Sequence, residues 1–209
     1  MQTLTINNVN IDIHDGPIGV SVSGGADSSI LLYILMKYAK GAVHVYTCAN
    51  KAKSRTAPHY ALKVIGKCID MLNRNNVYHH VVFVDEQTES NMLTHGIADL
   101  NSGKINYLYT GVTANPPVEV TDKFTDNSRT RSERNPYDIK PFYTGNNNRN
   151  YRPFINVDKK VISGIYKELN VLDDIFPLTR SCEDLILTSG HCGHCWWCEE
   201  RQWGFSRLE

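Results

Sequence analysis

Short apolar runs alternate along the chain with longer stretches whose apolar residues recur about every three to four positions, the spacing of one helix face. Ile18–Val22 reads as a strand, the stretch from Asp27 to about Lys40 as the helix after it, and Ala42–Thr47 as a second strand. From Pro58 to Asn73 the residues Ala61, Val64, Ile65, Cys68 and Met71 fall on one stripe, which predicts an amphipathic helix. Tyr78–Val84 is a third strand with Asp85 at its exit, helical spacing returns over Asn91–Leu100, and Ile105–Val112 is a fourth strand. Such alternation predicts an α/β fold: a parallel sheet with helices on both faces, binding ligands beyond the carboxyl ends of its strands. Ahead of the sheet, Leu4, Ile6, Val9, Ile11 and Ile13 alternate with polar residues around Asn7-Asn8, so residues 1–16 read as a hairpin.

From Thr113 to Arg152 the pattern stops. Residues 113–152 are rich in Asn, Pro, Arg and Ser and too long for an ordinary connection, so they read as a long loop or lid. Lys123, Arg129, Arg131, Arg134, Lys140, Arg149 and Arg152 make this stretch locally basic. It suits closure over an anion, with Arg129, Arg131 and Arg134 as carboxylate clamps, or else a solvated face. Order resumes at Pro153–Val157, and a helix is expected over Asp158–Leu169 with Asp158 as its N-cap and Val161, Ile162, Ile165, Tyr166 and Leu169 on its buried face.

With 209 residues and no internal repeat, the chain reads as one domain. Its 22 basic and 22 acidic residues cancel, which counts against a long basic face for nucleic acid. No apolar run approaches the ~20 residues that span a bilayer, so no membrane partner is expected. The first residues lack the basic start and apolar centre of a signal peptide, and a cytoplasmic protein is the expectation.

Chemistry enters at Ser23-Gly24-Gly25-Ala26-Asp27-Ser28, between the first strand of the sheet and its helix. A turn at that point aims backbone N–H groups, and the positive end of the helix dipole, at one spot suited to phosphate oxygens. Adjacent glycines allow close approach, Ser23 and Ser28 add hydroxyls, and Asp27 is placed either to cap the helix or to face a metal. The string resembles the SGGxDS loop of the PP-loop ATP pyrophosphatases, which cleave ATP between its α- and β-phosphates. It lacks the Lys-Ser/Thr ending of a Walker A loop.

The second signal is Cys182 followed by His191-Cys192-Gly193-His194-Cys195-Trp196-Trp197-Cys198. Interlocked CxxC pairs can place three thiolates around one ion, with Cys182 as the fourth. Such a closed tetrahedral shell suits structural zinc. Disulfides, a redox or persulfide centre, and His191 or His194 in place of one cysteine are the rival readings. Cys48 and Cys68 read as buried packing residues, and the His79-His80 pair as structural. Trp196, Trp197 and Trp203 could stack a base, pack on the core, or form the seam of a homodimer.

Thr179-Arg180-Ser181-Cys182, the cysteine run through Cys198-Glu199-Glu200-Arg201, and Gly204-Phe205 resemble the TxSC…CGxCxxCxxRxxGF tail of the 7-cyano-7-deazaguanine synthase family. Pro153-Phe154-Ile155 leading to Lys159 is similar to that family's P-L-I…K segment. The resemblance implies a Rossmann-like sheet of the adenine nucleotide alpha hydrolase type with a zinc-binding segment over 179–209. It implies a homodimeric ATP-dependent ligase joining 7-carboxy-7-deazaguanine and ammonia into a nitrile, releasing AMP- or ADP-type products with pyrophosphate or phosphate. Ser23, Gly24, Gly25, Asp27, Ser28 and Ser29 would bind ATP, Asp27 and Lys159 would act in catalysis with Mg2+, and Cys182, Cys192, Cys195 and Cys198 would hold Zn2+. The family's Y-P-D-C-R string has no counterpart near Gly111–Pro117 or Arg129–Pro136. A PP-loop enzyme adenylating another target therefore stays open: a tRNA base for sulfur or amide transfer, or a macromolecule modified with a deazaguanine. So does a zinc-containing nucleic-acid binder, although the leading reading needs no nucleic acid.

Overall fold

The computed structural model describes residues 1–50, 55–84, 92–124, 142–144, 148–182, 184 and 186–209. Strands β1 (Gln2–Ile6) and β2 (Val9–Ile13) form the expected antiparallel hairpin. Asn7 and Asn8, at φ 47° and 61°, supply the two left-handed positions that a tight two-residue turn requires. Val9, Ile11 and Ile13 face inward. Two buried tyrosines pin the hairpin: the Asp12 N–H donates to Tyr151 Oη at 2.9 Å and the His14 N–H to Tyr109 Oη at 3.0 Å.

The main sheet is built from β3 (Ile18–Ser21), β4 (Val43–Asn50), β5 (Val77–Val84), β6 (Tyr107–Thr110), β7 (Phe142–Thr144) and β8 (Asn150–Arg152), in the order β5-β4-β3-β6-β8-β7. Five strands are parallel and β7 closes the edge antiparallel to β8. Ile18 is level with Val43 on one side and Tyr107 on the other. The chain steps from β3 outward to β4 and β5, then returns to the opposite side of β3 for β6. The carboxyl ends of β3 and β6 therefore flank the point where winding reverses, the place where such sheets bind ligands.

Helices cover both faces. On one face α1 (Ala26–Tyr38), α2 (Ala57–Leu72) and α5 (Lys159–Glu168) share a core with Ile18, Val20, Val43 and Val45. Ile30, Leu31, Leu32, Ile34 and Leu35 of α1 are fully buried, each contributing about 1.5–3 kcal/mol of transfer free energy. On the opposite face α3 (Met92–Asn101) brings Leu100 against Tyr46 and Leu108. Two short helices, α4 (Val118–Thr121) and α6 (Leu172–Ile175), precede the last helix, α7 (Trp196–Phe205). Among the described residues no helix is long and apolar enough to cross a membrane.

The structure corrects the sequence reading in several places. The stretch 113–152, expected to be one unpatterned loop, contains α4, β7 and β8 among its described residues. The expected strand Ile105–Val112 is shorter, because Ile105 is spent closing the turn after α3 through its N–H to Asp99 O at 3.3 Å. Met71 lies at the exposed rim of α2 rather than on its buried stripe, and β5 is an edge strand whose Phe83 is 80% exposed. Asp85, Arg129, Arg131, Arg134 and Lys140 lie outside the described residues.

Candidate functional site

The turn after β3 is held by its own serines. Ser28 Oγ accepts from the Ser23 N–H at 3.2 Å and donates to Gly25 O at 3.2 Å, while Ser23 Oγ accepts from the Gly25 N–H at 3.3 Å. The two glycines differ in task. Gly24 has φ +79°, and a Cβ there would lie 2.7 Å from Tyr60 Cβ and 3.1 Å from Ala57 O, so glycine is demanded by the close approach of α2. Gly25 is the N-cap of α1 and lines an open cleft. Among the described residues no side chain caps α1, which leaves its first-turn N–H groups for a ligand or water.

Asp27 does not cap the helix, contrary to one of the sequence expectations. At the second helical position it pairs instead with Lys159 Nζ, which arrives from the start of α5. Lys159 is buried, not the solvated lysine its place in a first helical turn would suggest. Asp158 caps α5 as expected, accepting from the N–H groups of Lys160 and Val161 at 2.9 and 3.0 Å. The remaining Asp27 oxygen, Oδ1, is buried and accepts no hydrogen bond from the described residues, and the same holds for Ser29 Oγ. Ser29 is fully buried and, like Ser28 and Gly24, does not line the cleft, so these three support the loop from behind.

Cys182, Cys192, Cys195 and Cys198 meet with their ligand atoms all within 4.8 Å of one another. Cys192 Sγ and Cys198 Sγ are 3.9 Å apart, too far for a bond. A tetrahedron with Zn–S of about 2.3 Å has edges of roughly 3.8 Å. Cys182 Sγ accepts backbone N–H groups from Asp184 at 3.4 Å and Cys192 at 3.5 Å, which favours the thiolate. The Cys198 thiol is pushed far up by its contact with Cys195 and then by burial, and burial raises Cys182. Thiols this close ionise together only beside a positive charge, which a divalent ion supplies. The donor set fits zinc. Neither histidine joins it: His191 Nε2 accepts the Ser181 N–H at 3.3 Å, and His194 Nδ1 is 2.8 Å from Cys192 O. Cys48 and Cys68 are free, buried packing residues, with Cys68 pushed up to about 12 by burial.

Loop and cluster share one cleft of about 180 Å³, lined by Ser23, Gly25, Asp27 and Lys159 on one side and Cys182 and Trp197 on the other. Arg180 ties the two sides together. Its backbone N–H donates to Gly24 O at 2.8 Å, and its guanidinium donates to Gly190 O, Asp184 O and Leu187 O at 2.9–3.0 Å and to Thr56 Oγ1 at 3.1 Å. Arg201, fully buried, donates to Thr179 Oγ1 at 2.8 Å and Phe176 O at 3.0 Å, and burial lowers its pKa to about 10. Sequence reasoning assigned no role to Arg180, Thr56 or Tyr60 in this cleft, though Arg180 stands inside the quoted TxSC segment. The three tryptophans divide: Trp196 is buried, Trp197 lines the cleft, and Lys160 Nζ lies over the Trp203 ring at 4.8 Å. His79 and His80 are structural, bonded to Thr47 Oγ1 and His44 Nδ1 at 3.0 Å. Of the described basic residues in 113–152, Lys123 is engaged by Glu199 of α7 at 2.6 Å.

Residues 11–91, from β2 through β5, match the asparagine synthase family. That match supports the PP-loop ATP pyrophosphatase superfamily and nothing finer. No curated protein matches the chain. Among solved structures, NMN synthetase from Francisella tularensis is similar at a TM-score of 0.47 and 12% identity, over 90% of this chain and 83% of that one.

Proposed function

We propose that the chain is an ATP-dependent ligase that converts 7-carboxy-7-deazaguanine and ammonia to 7-cyano-7-deazaguanine through adenylated intermediates. The observation that carries this reading is the shared cleft: Gly25 of the loop, the Asp27–Lys159 pair and Cys182 of the four-cysteine cluster line one cavity. The uncapped start of α1 fits a triphosphate, and the buried Asp27 Oδ1 is a hard oxygen donor of the kind magnesium takes. Magnesium bound there would offset phosphate charge and stabilise the departing pyrophosphate. The backbone at Gly25 holds the phosphates close, and Lys159 supplies a positive charge beside them. Tyr60 and Trp197 give the cleft aromatic walls, which suit a planar base. A carboxylate resists ammonia because oxide and hydroxide leave poorly. Transfer of AMP to its oxygen, with loss of pyrophosphate, provides a good leaving group, and ammonia then gives the amide. A second adenylation on the amide oxygen lets AMP depart as the nitrile forms.

The test is pyrophosphate release from ATP and magnesium with 7-carboxy-7-deazaguanine, with and without ammonium. Release that depends on the deazaguanine, with nitrile appearing only when ammonium is present, is the expected result. No release refutes the assignment. The absent Y-P-D-C-R string favours a second reading, adenylation of a different acceptor by the same site. Pyrophosphate release only on addition of tRNA or another macromolecule would support it.

A further inference from the structure

Helix α7 carries two of the four clustered cysteines at its start, and one of its faces meets Lys159. Gly204 comes so near that a Cβ there would lie 2.2 Å from Lys159 Cβ and 3.0 Å from the Lys159 carbonyl carbon. One turn earlier, on the same face of α7, Glu200 is 1% exposed and its Oε2 lies 3.9 Å from Lys159 Nζ. Lys159 thus sits between two carboxylates: Asp27 in direct contact and Glu200 at ion-pair range. The CxxCxxRxxGF pattern leaves position 200 unspecified, so nothing in the motif marks this carboxylate.

We infer that Glu200 is a positioning residue that shares the Lys159 ammonium with Asp27 and so leaves Asp27 able to bind a divalent cation. A carboxylate whose charge is wholly matched by one ammonium has less attraction left for a cation than one that shares it. Asp27 Oδ1 is the oxygen with no hydrogen bond from the described residues, and it belongs to the residue lining the cleft. When Glu200 is neutralised, the whole attraction of Lys159 falls on Asp27, and cation binding weakens. Gly204 completes the device by letting α7 come close enough for Glu200 to reach across. The inference rests on the adenylating reading in one respect: the cation at Asp27 is the one that accompanies the triphosphate.

The experiment is a Mn2+ titration followed by electron paramagnetic resonance, on the zinc-loaded full chain with a non-hydrolysable ATP analogue. Glu200→Gln is expected to weaken Mn2+ binding about tenfold, within the range for directly coupled charges, while zinc content stays at the wild-type level. Glu200→Asp keeps the charge but withdraws it, and falls between wild type and Glu200→Gln. In a Lys159→Met background the same Glu200→Gln change is expected to cost about threefold or less, because the shared ammonium is gone. If Glu200→Gln alone folds poorly, Glu200→Asp, which keeps a buried carboxylate, carries the test, and Mn2+ affinity equal to wild type there overturns the inference. Wild-type Mn2+ affinity in Glu200→Gln overturns the inference, and so does an undiminished effect in the Lys159→Met background. Failure of the wild-type chain to bind the Mn2+–analogue pair overturns the nucleotide-site reading along with it, which separates the two failures.

Discussion

Replacing Arg180 with methionine keeps an unbranched stem of similar length and removes the guanidinium that holds the segment between Cys182 and Cys192. Three backbone carbonyls lose their donor, at Asp184, Leu187 and Gly190, and Thr56 Oγ1 loses a fourth contact. Water can reach these acceptors once the segment loosens, so each bond counts for about 1 kcal/mol net, and the three carbonyls together for roughly 3 kcal/mol. That cost falls on the residues that bring Cys182 and Cys192 to one point. It is therefore expected as weaker metal retention of about two powers of ten, since ~1.4 kcal/mol is tenfold. Competition with a chromophoric chelator measures the affinity, and thermal unfolding in excess zinc separates metal loss from general instability. Arg180→Lys should recover little, because an ammonium cannot reproduce a planar fork that spans three carbonyls. The Arg180 N–H to Gly24 O bond survives both changes. A methionine variant that keeps its metal within about threefold of wild type would refute the coupling, because that difference corresponds to well under 1 kcal/mol.

Chelation of the native chain should release α7 from the cleft, visible as a change in Trp197 fluorescence and loss of nucleotide-analogue binding. An unchanged spectrum in metal-free protein would show the cluster to be dispensable for the cleft. Gly24→Ala combines a left-handed residue with a 2.7 Å approach to Tyr60 Cβ; it should cost about 1–3 kcal/mol and displace the loop, read as a lower unfolding midpoint together with weaker analogue binding. Acidification should destabilise the chain. His14, His44, His79 and His80 all have pKa values lowered from 6.5, chiefly by burial, so between those lowered values and 6.5 the unfolded chain binds more protons. Stability is then full above 6.5 and is lost as pH falls through the folded values; urea midpoints from about pH 7.5 down to about pH 5.5 should decrease. His14→Gln should flatten that dependence, and a midpoint that rises on acidification would contradict the sign.

The two signals legible in the sequence are local ones. Ser23–Ser28 is a single turn, and the cysteine run spans one loop and the start of one helix, so chain spacing alone constrains what each can do. The strands from β3 to β6 were also readable, because each carries its own apolar run, whereas their order in the sheet is set by long-range pairing. Strands β7 and β8 are three residues each in an Asn-rich stretch, too short for period-two alternation to register. The edge position of β5 and the exposure of Phe83 are not legible either, since an apolar edge strand spells like a central one.

Lys159 shows where local reading ends. In sequence it opens a helix, a place that suits a charge beside the phosphates and a solvated lysine equally. Its partner Asp27 is 132 residues away, and the carboxylate beyond it comes from a third element. What buries the lysine is the approach of α7, which requires a residue without a side chain at Gly204 and an anchored helix start at Cys195 and Cys198. The geometry of the cleft therefore depends on the four-cysteine cluster through packing, although no cysteine need touch a reacting atom. Arg180 adds a second path from the same cluster, through the backbone of Gly24. Two independent links between tail and loop make a tail that merely decorated the domain a poor account of this structure. A chain in which the tail serves only stability would keep analogue affinity unchanged when the Glu200 link and the Arg180 guanidinium's hold on the segment between Cys182 and Cys192 are removed and the fold is retained.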